Sequence, residues 1–77
     1  MIATDLINSV SERLTNVEKS IRRDGRKIIM TVRKGKQKLT IHAEKEVTIK
    51  VGFNKPKKVD FNTEAVLKVI KADLGLF

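Results

Sequence analysis

His42 is the only histidine in the chain, and Glu44 stands two residues beyond it, with Glu46 across what reads as a tight reversal. In an extended strand, residues two apart share a face, so the imidazole and one or two carboxylates could meet. Such a trio could hold a metal ion, or act as a base with its orienting acid. Nothing else in the sequence builds a site around it. There is no cysteine, no glycine-rich phosphate loop, no Cys/His cluster at zinc spacing and no Ser-His-Asp set. Lys45 stands between the two carboxylates, and other lysines are available to pair with them. The reading is a non-enzyme, with no catalytic residue, no metal and no cofactor.

The cations form a stronger pattern. The 77 residues carry 17 Lys and Arg against 9 Asp and Glu, a formal charge of +8. Thirteen of those cations, but only Asp24, Glu44 and Glu46 of the acids, lie in residues 22–58. Dense positive charge on a folded chain favours association with phosphates. The three aromatics, Phe53, Phe61 and Phe77, are few for a protein that stacks bases on rings. The sequence does not open on a cationic leader with an apolar run, and no apolar stretch nears the roughly 18 residues that span a bilayer. A soluble cytoplasmic protein without membrane contact is expected.

Those charges must be positioned by a small α+β domain that takes up residues 1–77. Leu6, Val10, Leu14, Val17 and Ile21 recur at helical steps, which predicts a helix over 5–23. Thr4 or Asp5 is its expected cap and Asp24-Gly25 its stop. Strict alternation then predicts strands over 27–33, 38–44 and 46–53. Their inward residues are Ile28, Met30 and Val32; Leu39, Ile41 and Ala43; and Val47, Ile49, Val51 and Phe53. Residues 59–61 read as a fourth strand or an extended lead-in. A second helix follows over 63–74, capped by Asn62 or Thr63, with Gly75 just past its end. The order α-β-β-β-(β)-α predicts a two-layer sandwich, with both helices on the apolar face of a three- or four-stranded antiparallel meander. One small core implies modest stability, to which a homodimer would add. Ile29, on the otherwise polar face, would anchor a second copy, another protein or the first helix.

In a meander, alternate turns share one end of the sheet. The 33–38 turn and the 54–58 loop would then bring Arg33, Lys34, Lys36, Lys38, Lys55, Lys57 and Lys58 together without an acid. Lys50 adds to them from the wet face, beside Thr31, Thr40, His42 and Thr48. At the other end Arg22, Arg23, Arg26 and Lys27 form a second basic cluster that Asp24, Glu44 and Glu46 can neutralise. Exposed lysines also keep proteins soluble and blunt sheet edges, but seven at one pole repel one another and weaken the fold.

The element order and length resemble the double-stranded-RNA-binding domain. That family docks on A-form RNA through its first helix, a strand-connecting loop and cations opening its second helix. The resemblance implies an RNA-binding surface, with residues 33–38 as the loop. Lys55, Lys57 and Lys58 precede the second helix instead of opening it, and Asp60 and Glu64 stand near its start, so the likeness lies in element order alone. The expected function is a small nucleic-acid-binding protein, RNA favoured over DNA, that grips the phosphate backbone with little sequence preference. The alternative is a protein-binding inhibitor, antitoxin-like or phage-type, whose basic face docks on a nuclease or other acidic partner, with RNA able to bridge the two.

Overall fold

A computed structural model describes residues 2–15 and 17–75. Their order is α1 (Ala3–Arg13), β1 (Glu18–Asp24), β2 (Lys27–Lys34), β3 (Gln37–Ala43), β4 (Val47–Val51), β5 (Lys57–Val59) and α2 (Thr63–Leu74). The strands form one antiparallel sheet in chain order, β1-β2-β3-β4-β5. Both helices pack on one side of it, so the two-layer α+β arrangement stands with five strands instead of three or four.

The inner strands follow their composition. β2, β3 and β4 are rich in β-branched residues, which suit a pleated, half-buried surface. Their alternate positions Ile28, Met30, Val32, Leu39, Ile41, Ala43, Val47 and Ile49 are buried. Leu6, Ile7, Val10 and Leu14 from the first helical segment join them, as do Val66, Leu67, Ile70 and Leu74 from α2. The Asn62 side chain accepts the backbone N–H of Glu64 and Ala65 at 2.8 and 3.2 Å, which satisfies two of the donors a helix start leaves free.

Two expectations are corrected. The first helix does not run to residue 23: it ends at Arg13, and 18–24 is the edge strand β1. Leu14 leaves the helix in an extended conformation. Lys19 reaches back from β1 and donates to the carbonyls of Ser11 and Leu14, at 2.6 and 2.7 Å. A cation there satisfies terminal carbonyls and meets the negative end of the helix dipole. Asp24-Gly25 is therefore where the chain enters the turn of a hairpin, Gly25-Arg26, and not a helix stop. Asp24 pairs with Lys27 across it, and Gly25 takes a φ of 63°, which two-residue hairpin turns require and most side chains resist. The cap at α1 also differs. Ile2 occupies that position without a side-chain bond, and Thr4 Oγ1 accepts from Arg23 instead, at 3.2 Å.

The second correction concerns the far end. The third expected strand stops at Val51, so Phe53 does not turn inward and is fully exposed. The short last strand is 57–59, not 59–61. Five strands in place of three also remove the element order on which the likeness to the double-stranded-RNA-binding domain rested.

Candidate nucleic-acid interface

Helices cover one face of the sheet. The opposite face is assembled by the register of the strands. Side chains of directly paired residues lie on the same face, so each row of partners can be read across the sheet. One row runs Arg22, Ile29, His42, Thr48, Lys58. The next runs Ser20, Thr31, Thr40, Lys50, and the next Glu18, Arg33, Lys38. Asp24 and Lys27 begin the row at the other end. The open face therefore presents Arg22, Lys27, Arg33, Lys38, Lys50 and Lys58, with hydroxyls between them. β2, β3 and β4 contain no acid at all. Acids reach this face only at its margins, as Glu18 and Asp24 on the edge strand and Glu44 and Glu46 in the β3–β4 turn.

Arg33 and Lys38 face each other directly, an arrangement that costs stability, because like charges opposite one another in a sheet repel. Glu18 stands in register with Arg33 on the other side. The expectation of an acid-free pole missed this residue, because it assigned 18 to a helix. Among the described residues no ion pair joins the two; the pairs present are Arg13–Glu64, Lys57–Asp73 and Lys58–Glu46.

The meander does bring the 34–37 turn and the 52–56 loop to one end, where Gly52 N–H donates to Lys38 O at 2.9 Å. Lys34, Lys36 and Lys55 belong to that end. Lys57 and Lys58 do not. They lie in β5 opposite Ile49 and Thr48, because that strand has already turned back along the sheet. Lys57 points to the helix side, where Nζ spans both carboxylate oxygens of Asp73 at 3.2 and 3.1 Å. Lys58 reaches Glu46 at 3.3 Å.

The second cluster is split by the same parity. Arg22 and Lys27 are on the open face, Arg23 is on the helix side with Thr4, and Arg26 is in the β1–β2 turn. Its expected pairing with Asp24, Glu44 and Glu46 is not what forms; Glu46 is taken by Lys58. The two poles are thus one face that runs between them.

His42 occupies the middle of that face. Its pKa is lowered, first by partial burial, then by the positive charges of Lys27, Arg22 and Lys50. Both basic clusters act on it at once. Ile29 beside it is only 8 % exposed although no helix covers it. It lies at the floor of a shallow hollow of about 340 Å³ whose rim includes Arg22, Thr31, Lys38, Thr40 and His42. Side chains of the face itself cover the residue that read as an anchor for a partner.

Among the described residues no three His, Cys, Asp or Glu side chains gather in a group that could hold a metal. No helix there is long and apolar enough to cross a membrane. Phe53 is the residue that the alternation hid: Gly52 and Asn54 on either side of it were the available signal that the strand had ended. No family model, no curated protein and no solved structure matches this chain.

Proposed function

We propose that this protein is a non-catalytic nucleic-acid-binding module that lays the phosphate backbone across its open sheet face. The observation that carries the reading is the distribution of charge on β2, β3 and β4. These strands place Lys27, Arg33, Lys38 and Lys50 on one uncovered surface and contribute no acid to it, and two of the four are held opposite each other. Repulsion of that kind weakens a fold and is relieved when a polyanion docks. Thr31, Thr40 and Thr48 stand between the cations as hydroxyl donors for phosphate and sugar oxygens. The face is a sheet surface with no helix on it to enter a groove, so contacts to base edges are few and sequence preference is low.

The test is a titration of the purified protein with single- and double-stranded RNA and DNA at several salt concentrations. If four to six cations neutralise phosphates, log K falls with log salt at a slope of about −3 to −5. Absence of binding to all four at low salt, with binding instead to an acidic protein, would replace this reading with that of an inhibitor.

A further inference from the structure

The end of the sheet that holds Lys34, Lys36 and Lys55 carries one feature that phosphate binding does not use. Phe53 projects from the loop after β4 with its side chain entirely in solvent. The loop holds it there by two backbone bonds, Gly52 N–H to Lys38 O at 2.9 Å and Asn54 N–H to Val51 O at 3.0 Å. Gly52 turns the chain with a φ of 57°, which takes the residue after it out of the β4 ladder. The ring is therefore carried by a formed turn whose backbone is bonded to that of Lys38, with Lys55 two residues on and Lys34 and Lys36 in the hairpin turn at the same end of the sheet.

We propose that Phe53 stacks on an unpaired base, so that the preferred ligand of the face is single-stranded nucleic acid. The proposal rests on the nucleic-acid reading and adds to it. Phosphates of a duplex and of a single strand can both meet the lysines, but a single strand offers unpaired base faces along its length to a ring beside its backbone. An aromatic flanked by cations that track the backbone is what such binding needs, and stacking of this kind tolerates any base. Among the described residues the other exposed large apolar side chains lie apart from it. Ile2 precedes α1, beside Arg23, Arg26 and Phe61, and Ile21 is in the edge strand opposite Met30. A lone ring without an apolar surround is poorly suited to membrane insertion, which scales with buried apolar area.

The chain contains no tryptophan, which makes Phe53→Trp a clean reporter. The experiment compares wild type, Phe53→Ala and Phe53→Trp on a homothymidine oligonucleotide, on a blunt duplex of the same length, and on vesicles of phosphatidylserine and phosphatidylcholine. The expected result is a loss of about 5- to 150-fold for Phe53→Ala on the single strand. The salt slope should not change, because no charge is removed, and duplex affinity should be essentially unaltered. Phe53→Trp should retain single-strand binding, with its fluorescence quenched by the oligonucleotide and not by the duplex. If wild type binds both nucleic acids with the expected salt slope and Phe53→Ala matches it on the single strand, stacking is overturned while the backbone grip survives. Equal losses on single strand and duplex overturn it as well. A blue shift of Phe53→Trp on vesicles without quenching by the oligonucleotide assigns the ring to membrane instead. Wild type that binds neither nucleic acid overturns both proposals.

Discussion

The double reversal of Lys38 and Lys50 to glutamate is expected to lower nucleic-acid affinity by about two to three orders of magnitude at moderate salt. Each phosphate contact contributes about 0.7–0.9 to the salt slope, so loss of two should flatten it by about 1.4–1.8 as the affinity falls. Reversal also sets two anions on the path of the phosphates, which removes more than neutral replacement would. The fold should survive. Both residues are on the uncovered face, and Lys38→Glu places an anion opposite Arg33 where a cation stood before. That exchange alone is expected to add a few tenths of a kcal/mol to stability, on the order of a cross-strand charge pair. A stabilising substitution that damages binding is the signature of charge kept for function. Lys68→Glu with Lys71→Glu is the control. It alters the net charge by the same amount, but on α2, behind the sheet. If the two double variants lose affinity equally, the overall charge is responsible and the face is not. Binding isotherms at matched salt, with urea unfolding alongside, read both effects.

Ile41→Ala is expected to cost about 2–5 kcal/mol. Ile41 lies at the centre of the core face of β3, paired with Met30 on one side and Ile49 on the other, and is fully buried. A chain of this size is typically stable by about 4–12 kcal/mol in all, so the variant should be marginal or unfolded. Thr40→Ala, one residue earlier, projects to the opposite face and should cost well under about 1 kcal/mol. The pair tests the parity of β3, on which the whole map of the open face depends. Urea unfolding followed by circular dichroism measures it, and a larger loss for Thr40→Ala than for Ile41→Ala would mean that the two faces of the strand have been exchanged.

The central strands and α2 were legible because two signals agreed on each. In 28–32, 39–43 and 47–51 the period-two alternation coincides with β-branched composition, and at 62–75 the helical stripe coincides with a cap and a terminal glycine. β1 was illegible because its signals point elsewhere. Val17 and Ile21 continue the three- and four-residue steps begun at Leu6, while Glu18–Asp24 is exposed at every position and so shows no buried alternation. Asp24-Gly25 ends helices and turns hairpins equally well. Only tertiary structure separates the two readings, through Lys19 bound to the end of α1 and through the ladder with β2.

The candidate site was legible to the same depth. Arg33, Lys38 and Lys50 lie in strands whose parity was plain, so their placement on the open face followed. The mates of Lys57 and Lys58 did not, since Asp73 and Glu46 become neighbours only through the path of β5. Nor did the arrival of Glu18 beside Arg33, which needed β1 to be a strand. Phe53 was read as the last inward residue of an alternation that in fact stops at Val51, where Gly52 turns the chain.

His42 supplies the most direct test, because it stands in the middle of the proposed interface and responds to the charge around it. Burial, Lys27, Arg22 and Lys50 hold its pKa below the ordinary histidine value in the free protein. Glu44 and Glu46, which line a second hollow beside His42 together with Lys27 and Lys50, do not reverse that balance. A phosphate chain laid over the face would offset the three cations and favour the imidazolium, so the pKa should rise on binding. By linkage, affinity should then grow as pH falls through the interval between the free and bound values. The measurement is an NMR titration of the single imidazole with pH, free and saturated with a homothymidine oligonucleotide at low salt. The account predicts a depressed pKa in the free protein and an upward shift in the complex. An imidazole whose titration is unmoved in a complex known to be saturated would place the nucleic acid somewhere other than the open sheet face.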